Sequence, residues 1–278
     1  MEAVHESRIS RVTEGCREFV RSHDVSPALY NTGQPVQPVL VNNKHRFLFC
    51  TVLKVSSTNW KRAFMSLEGT GLPDNQIWRK KLNFSDFYKL SLIAYSRKEA
   101  AYRLVHYRKV MFVREPYERL LSAYLSKFNR SHEMANVYGR SIIQNYRKNA
   151  SKESLATGTD VTFVEFLKFV LGSTHGHDDH HWASYVHSCN PCGVKYDYIG
   201  KYETTDADVE YIKRKLNIPE LTMPERSIRY RFAPTKNLVA QAYKDVPADV
   251  IRGIQEHFKM DFKLFDYPSD LNLSTKTT

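Results

Sequence analysis

Two short apolar runs dominate the hydrophobic pattern of the chain, and each is followed by a polar turn and a helical pattern. The first run covers residues 47–53 and precedes a helical composition over residues 59–67. The second covers residues 110–113, and apolar side chains then recur at helical spacing over residues 120–128. Short apolar runs bounded by polar residues indicate buried strands. The pattern therefore predicts two strand–turn–helix units.

The remaining pattern predicts further alternation of strands and helices. Helical patterns cover residues 163–171, 206–216 and 237–258, and residues 194–199 are typical of a strand. The polar stretch 129–160 is interpreted as an exposed excursion. Such alternation predicts an α/β fold whose mostly parallel sheet is covered on both faces by helices.

Domain boundaries follow from the same pattern. Residues 1–45 have weak organisation and are interpreted as a stem or N-terminal arm. Residues 46–268 form one predicted domain, and residues 269–278 are a polar tail. A chain of 278 residues is long enough for one large α/β domain with a full core, or for two small ones.

The two predicted turns carry the candidate chemistry, because loops after parallel strands lie at the same sheet edge, where ligands bind. The first turn and its helix supply Lys54, Ser56, Ser57, Thr58 and Asn59. The second supplies Arg114, with Arg119 and Ser122 on the helix behind it. Helix N-termini, hydroxyls and cations bind phosphate-like groups. The sequence thus predicts two anion sites, and a ligand with an anionic group at each end.

The first turn is not a nucleotide-binding Walker loop. That loop requires glycines ahead of its lysine, and residues 53–59 contain none. This argues against an ATP or GTP site and against a nucleotide kinase.

The charge balance agrees with an anionic partner but does not identify it. Lys plus Arg is 41 and Asp plus Glu is 30, so the formal net charge is +11. This excess suits nucleic acid, a phosphorylated cofactor or an acidic polysaccharide. A basic surface that is merely solvated is the alternative interpretation.

Cysteines and sequons bear on the cellular compartment. Two disulfides with three connectivities can be drawn among Cys16, Cys50, Cys189 and Cys192. N-glycosylation sequons, which support a secretory setting only weakly, begin at Asn83, Asn129, Asn149 and Asn272. No apolar run approaches the roughly 20 residues that span a bilayer, and the first residues lack a secretory signal.

Three ordered blocks carry a family resemblance: LKVSSTNWKR, VREPYERLLSAYLSKF and HWASYVHSCNPCGVKYDYIGKYET. They resemble the Golgi carbohydrate sulfotransferases, in the branch that acts on chondroitin, dermatan and related glycans. The ending DFKLFDY is also similar, so the resemblance runs from about Cys16 to Tyr267. It implies a P-loop-like three-layer sandwich with a central, mostly parallel sheet.

The resemblance implies 3′-phosphoadenosine 5′-phosphosulfate as the sulfate donor, a molecule with anionic groups at both ends. By position, the phosphosulfate would be held by Leu53, Lys54, Val55, Ser56, Ser57, Thr58 and Asn59. The 3′-phosphate would be held by residues 114–122, with Arg114 and Ser122 as direct ligands and Arg119 beside them. Trp60 is a candidate for stacking on adenine, and packing in the core is the alternative.

The resemblance also implies sulfuryl transfer, in which an acceptor hydroxyl attacks in line and charge builds on the leaving phosphate. Lys54 would stabilise the bridging oxygen, and the N–H groups and hydroxyls of the first turn would stabilise the remaining charge. A general base should accept the proton of the acceptor hydroxyl. His181 matches the family's His-Trp position and is the first candidate, with His106 and Glu68 as alternatives.

Acceptor and location are implied in the same way. The acceptor would be an acidic or N-linked glycan, with N-acetylgalactosamine 4-O-sulfation of chondroitin or dermatan as the branch's reaction, and no nucleic acid would bind. Family members act in the Golgi lumen and are held there by one N-terminal membrane span. This sequence does not contain such a span. The resemblance leaves the oligomeric state open.

Two positions depart from the family pattern. Leu53 stands where the family has Pro, and Ser57 stands where it has Cys. A hydroxyl still donates to a phosphate, so we expect altered donor affinity. The alternative is a catalytically weak or inactive homologue that binds acidic glycans.

A histidine- and aspartate-rich run offers a rival site, because such side chains ligate zinc. It comprises His175, His177, Asp178, Asp179, His180 and His181, close to Cys189 and Cys192. The spacing is not that of a standard zinc finger, and the family needs no metal. We therefore expect no metal, and a disulfide role for the cysteines.

Overall fold

The protein divides into two compact units. The first comprises Met1–Arg114, Tyr185–Arg229 and Leu264–Asp266, and the second comprises Glu115–Ser184, Tyr230–Lys263 and Tyr267–Thr278. A computed structural model describes residues 1–22, 39–69, 77, 84–131, 134–173, 179–223 and 234–271.

The first unit contains a four-stranded sheet, in the order β1-β2-β3-β4 among the described residues. The strands are β1 (Val39–Asn42), β2 (Phe47–Cys50), β3 (Arg108–Val113) and β4 (Tyr198–Lys201). β1 is antiparallel to β2, whereas β2, β3 and β4 are parallel. The chain therefore has a mixed α/β fold with a mostly parallel sheet, as the sequence predicts.

Helices follow or precede each strand. In chain order they are α1 (Glu2–Ser22), α2 (Ser57–Leu67), α3 (Phe84–Tyr88), α4 (Arg97–His106), α5 (Pro116–Tyr124), α6 (Arg140–Tyr146), α7 (Lys152–Thr157), α8 (Phe163–Gly172), α9 (Tyr185–Cys189), α10 (Thr205–Leu216), α11 (Val239–Tyr243), α12 (Ala248–His257) and α13 (Lys259–Phe265). Single turns of 3₁₀-helix or π-helix cover Leu92–Ala94, Leu125–Asn129, Ala135–Gly139, Tyr202–Thr204 and Thr235–Leu238. Within the described ranges, none of the helices is both long and apolar enough to cross a bilayer.

Both predicted strand–turn–helix units are present. β2 and β3 are parallel neighbours, with Cys50 opposite Met111, so their carboxyl ends meet at one edge of the sheet. β2 ends at Cys50, three residues before the end of its apolar run, and α2 begins at Ser57 instead of Asn59. At the start of α5, Pro116 fits a first helical position and the Glu115 carboxylate accepts hydrogen bonds from two backbone N–H groups.

Aromatic side chains pack α2 against β2 and β3. The Trp60 ring is completely buried, with its centroid 4.2 Å from that of Phe49 in a stacked arrangement and 5.0 Å from that of Phe112. One helical turn later, the ring centroid of Phe64 lies 4.9 Å from that of Phe47. Stacking of Trp60 on adenine is therefore wrong for this structure, because both faces of the ring lie within the core.

The second unit has its own hydrophobic core, built on Phe128, Phe166, Trp182 and Tyr243. The stretch 129–160, predicted as an exposed excursion, contributes to this core. Ile142 and Ile143 of α6 are completely buried. The prediction fails there because two adjacent apolar residues are enough to fix a short helix on a core, although the surrounding sequence is polar.

Residues 1–45, interpreted from the sequence as a stem or arm, contain α1 and β1. On α1, His5 Nε2 lies 3.0 Å and Arg8 Nη1 2.8 Å from the Asp208 carboxylate, which is completely buried. The same carboxylate accepts hydrogen bonds from the Lys201 backbone N–H and the Thr204 hydroxyl. These bonds join α1 to β4 and α10, so the helix belongs to the first unit.

Two disulfides settle the connectivity that the sequence leaves open. Cys16 of α1 pairs with Cys192, and Cys50 at the end of β2 pairs with Cys189 of α9. Each joins residues far apart in the chain, with sequence separations of 176 and 139. Both lie within the first unit.

Removal of either disulfide should destabilise the first unit strongly. We expect the paired substitution Cys16→Ala and Cys192→Ala to lower the free energy of unfolding by about 2–4 kcal/mol, because the unfolded chain regains the freedom of a long closed loop. Urea denaturation without reductant measures the loss, and the pair Cys50→Ala and Cys189→Ala provides the comparison. Unchanged denaturation midpoints in both double variants would show that the crosslinks carry no stability.

Candidate active site

The loop after β2 has an unusual backbone for a sequence without glycine. Lys54 has φ +71° and Ser56 has φ +65°, so two non-glycine residues adopt the left-handed conformation. This conformation costs roughly 1–2 kcal/mol per residue, and such strain is concentrated at functional loops. Left-handed residues in a turn aim backbone N–H groups into a concavity that binds anions. The loop geometry therefore suits an anionic ligand.

The start of α2 adds to this anion-binding character. Ser56 is the N-cap residue, but its side chain makes no capping hydrogen bond. The first N–H groups of a helix have no partner within the helix and carry partial positive charge. Thr58 is exposed and Asn59 half-buried, whereas Ser57 is buried and Val55 lies completely in the core. Val55 therefore offers only its backbone to a ligand.

Arg114 joins the two predicted loops. It follows the last residue of β3, is 4% exposed, and its Nη1 donates a hydrogen bond to the Lys54 carbonyl oxygen at 3.0 Å. The guanidinium carbon also lies 4.1 Å from the centroid of the Tyr202 ring. The structure thus brings Lys54 and Arg114 together at the carboxyl edge of the sheet.

Arg119 and Ser122 lie on α5, in the second unit. Arg119 is 2% exposed, and its Nη1 donates a hydrogen bond to the Ala183 carbonyl at 2.7 Å. Ser122 is half-buried on the same helix. The predicted 3′-phosphate helix is therefore bonded directly to the segment that carries His181.

His181 is held by a neighbouring carboxylate. Its Nδ1 lies 2.6 Å from Asp179 Oδ1, and its backbone N–H donates to the same oxygen at 2.9 Å. The Tyr138 hydroxyl donates to Asp179 Oδ2 at 3.2 Å. A carboxylate on Nδ1 favours the tautomer whose lone pair is on Nε2, which is the arrangement of a general base.

Opposing effects act on the pKa of Asp179. Burial acts to raise it, but hydrogen bonds from the His181 side chain and backbone, together with the attraction between the two groups, hold the pKa below its ordinary value of 3.8. Asp179 is therefore a carboxylate at neutral pH and favours the protonated form of His181.

The two alternative bases lie away from the Lys54 loop. Glu68 follows the last residue of α2, about 16 Å along the helix axis from the loop, and accepts a hydrogen bond from Asn42 Nδ2 at 2.6 Å. Burial raises the pKa of its carboxyl group. His106 ends α4 and precedes β3, so it lies at the opposite edge of the sheet from Arg114. Both therefore lie at the far ends of the elements that lead to the Lys54 and Arg114 loops.

The cysteines of the alternative zinc site are not available as thiolate ligands. Cys189 and Cys192 are both disulfide-bonded, and Asp179 and His181 bond to each other. His175, His177 and Asp178 lie outside the described residues.

Sequence reasoning missed three residues that support the site. Asp179 is the hydrogen-bond partner of His181, the Tyr185 hydroxyl bonds to the Arg114 backbone, and the Tyr202 ring contacts the Arg114 guanidinium. In the sequence, Asp179 stands within the run of candidate metal ligands. Tyr185 and Tyr202 both lie in the third family-like block, as the tyrosines of HWASY and GKYET. That position was the available signal, although nothing in the block indicates which side chain each would contact.

Comparison with known proteins identifies similar sequences. The sequence profile of the sulfotransferase family matches residues 37–268 of the chain. Carbohydrate sulfotransferase 14 of Danio rerio is 38% identical over 234 residues, covering 84% of this chain and 63% of that protein. Carbohydrate sulfotransferase 14 of Homo sapiens is 36% identical over 231 residues, covering 83% of this chain and 60% of that protein. No solved structure matches the chain.

A second kind of relative aligns over more of the chain. Carbohydrate sulfotransferase 11 of Rattus norvegicus is 33% identical over 272 residues, which cover 95% of this chain and 76% of that protein. By contrast, the chain spans only 60–63% of the length of the two carbohydrate sulfotransferase 14 proteins.

Proposed function

The chain belongs to the sulfotransferase family, and on that premise we propose that it transfers a sulfuryl group from 3′-phosphoadenosine 5′-phosphosulfate to a hydroxyl group of a glycan. The single observation that carries the proposal is the hydrogen bond from Arg114 to the Lys54 carbonyl. It joins two loops that carry cationic side chains, and that we propose as anion-binding loops, at one sheet edge, where ligands of parallel sheets bind. The finer fold that we propose is the P-loop-like three-layer sandwich.

The donor set fits a ligand of this charge. Residues 53–59 contain no acidic side chain, and their backbone has the left-handed turns of an anion site. Lys54 and Arg114 add full positive charges. The proposed donor ligands are Leu53 to Asn59 for the phosphosulfate, and Arg114, Arg119 and Ser122 for the 3′-phosphate. When bound, the donor supplies the sulfuryl group and a bisphosphate leaving group.

The residues of the proposed site then have separate roles in the reaction. Lys54 neutralises negative charge that develops on the leaving group, and the N–H groups and hydroxyls at the start of α2 stabilise the rest. Arg114 fixes the loop through the Lys54 carbonyl. Because these donors are positioned before the ligand arrives, little reorganisation is needed during the reaction.

Proton removal falls to His181. With Asp179 on Nδ1, its Nε2 accepts the proton of the acceptor hydroxyl, and the carboxylate stabilises the imidazolium that forms. Tyr138 holds the other carboxylate oxygen and so limits rotation of Asp179.

The acceptor that we propose is an acidic or N-linked glycan, with N-acetylgalactosamine 4-O-sulfation of chondroitin or dermatan as the reaction. The relatives are named carbohydrate sulfotransferases, and the net charge of +11 suits a polyanionic acceptor. The place of action that we propose is the Golgi lumen, an oxidising compartment that agrees with two disulfides.

Transfer of labelled sulfate tests the proposal. The purified chain should move ³⁵S-sulfate from the donor to chondroitin or dermatan that has been desulfated, and to no nucleic acid. Heparan and an N-glycan ending in N-acetylgalactosamine complete the panel and report the acceptor class. Failure of the chain to bind adenosine 3′,5′-bisphosphate by calorimetry would refute the function, whereas retention on heparin without turnover would favour a glycan-binding homologue.

A further inference from the structure

Tyr185 binds both backbone polar groups of Arg114. Its hydroxyl accepts a hydrogen bond from the Arg114 N–H at 2.7 Å and donates one to the Arg114 carbonyl at 2.8 Å. The side chain of Tyr185 is completely buried. A single hydroxyl group therefore bonds to both the backbone N–H and the backbone carbonyl of one residue.

The position needs such a partner because the sheet ends there. Residue pairing between β3 and β4 stops at Val113 and Lys201, and pairing between β2 and β3 stops two residues earlier on β3. Buried backbone groups beyond a ladder must find other partners, or they cost free energy. Without the Tyr185 hydroxyl, the Arg114 N–H and carbonyl would lose the contacts that fix the end of β3.

Tyr185 is itself fixed to the neighbouring strand. It opens α9, whose last residue, Cys189, is disulfide-bonded to Cys50 at the end of β2. The Tyr196 hydroxyl donates to the Cys189 carbonyl at 2.8 Å, and the Tyr185 ring packs edge-on against Phe265. The short helix thus holds the ends of two strands at a fixed distance, one through sulfur and one through the tyrosine hydroxyl.

Tyr202 holds the other end of Arg114. It follows the last residue of β4, and its ring centroid lies 4.1 Å from the guanidinium carbon. Attraction between a cation and an aromatic face restricts the plane of the guanidinium. From that plane, Nη1 reaches the Lys54 carbonyl. Backbone and side chain of Arg114 are therefore fixed by different tyrosines.

We propose that Tyr185 and Tyr202 are positioning residues for sulfate-donor binding, acting through Arg114 on the strained Lys54 loop. The proposal rests on the proposed function, since it names residues that shape the same site. Lys54 and Ser56 hold a costly backbone conformation, which persists only when surrounding contacts impose it. The hydrogen bond from Arg114 is such a contact, and the two tyrosines set its geometry.

The test compares Tyr185→Phe and Tyr202→Leu with the control Tyr107→Phe. Tyr107 precedes the opposite end of β3 and is also buried, and its hydroxyl donates to Asn43 Oδ1 at 3.1 Å. We expect Tyr185→Phe to weaken adenosine 3′,5′-bisphosphate binding roughly 10-fold, from the loss of two buried hydrogen bonds, and Tyr202→Leu about 5-fold. Tyr107→Phe should bind like the wild type, although both Phe variants lose thermal stability.

Kinetics distinguishes positioning from a general loss of structure. The KM for the donor should rise in Tyr185→Phe and Tyr202→Leu, while the KM for the glycan acceptor stays unchanged. In an Arg114→Ala background, neither substitution should weaken binding further, because residues that act through one group are not additive.

Each outcome decides a different claim. A wild-type chain that does not bind the bisphosphate refutes the proposed function itself. Wild-type affinity in both tyrosine variants, or effects that add fully to that of Arg114→Ala, overturns the positioning role and leaves the function standing. Should Tyr185→Phe fail to fold, the half-buried Tyr202 and its leucine variant decide the question alone.

Discussion

Lys54→Met should lower kcat for sulfuryl transfer roughly 10²–10³-fold, the range found when one preorganised donor is removed from a site of developing charge. Methionine keeps the length of the side chain and the left-handed backbone at φ +71°, so the change removes the charge and little else. The unfolding midpoint should stay close to that of the wild type. Steady-state kinetics with labelled donor, alongside thermal denaturation, measures both quantities.

Two matched variants sharpen this prediction. Lys89→Met removes an exposed lysine from the same unit, and full activity is expected there. Lys54→Gly should lose as much activity as Lys54→Met but gain up to about 1 kcal/mol of stability, because glycine adopts positive φ without a Cβ penalty. Equal kcat values for Lys54→Met and Lys89→Met would remove Lys54 from the catalytic machinery.

The sequence was sufficient to predict the sheet edge at which Lys54 and Arg114 meet. Two apolar runs, each followed by a basic turn and a helix, define neighbouring parallel strands, and parallel strands place their following loops together. The extent of each strand was harder to predict. Thr51 and Val52 are completely buried although they follow the end of β2, and hydrophobic pattern reports burial, not pairing.

Other features depend on contacts between distant parts of the chain. Tyr185 and Tyr202 are 71 and 88 residues beyond Arg114 in sequence, and no periodicity links them to it. β1 has only four residues and was absorbed into the predicted arm, because a short strand is recognisable only from its partner. The cysteine pairing likewise needed coordinates, since three connectivities satisfy the sequence equally.

Asp179 shows a different kind of failure. It lies two residues from His181, so the contact is local and was open to sequence reasoning. The histidines and aspartates around it are typical of a metal site. The same residues also allow a simple hydrogen bond between one carboxylate and one imidazole, which is what the structure contains. Residue composition alone does not separate the two, whereas the hydrogen bond at Nδ1 does.

His181→Ala should lower kcat roughly 10²–10⁴-fold, the usual contribution of a positioned general base. Asp179→Asn should cause a smaller loss and move the acid limb of the pH–rate profile to lower pH. The sign follows from the pKa of Asp179, which the contact with His181 lowers. By linkage the same contact stabilises the protonated imidazole, so removing the carboxylate charge lets His181 release its proton at lower pH.

Asp179 also contributes to stability, in a window set by its lowered pKa. Its stabilising contact is present above the pKa of an unfolded aspartate and is lost as the pH falls through the lower folded value. Asp245→Asn is the matched control, since it removes an exposed carboxylate from the same unit.

The double variant of His181 and Asp179 should be no slower than His181→Ala, because the pair acts as one unit. An acid limb that stays in place in Asp179→Asn would show that Asp179 does not tune the base, and full activity in His181→Ala would assign proton removal to another group.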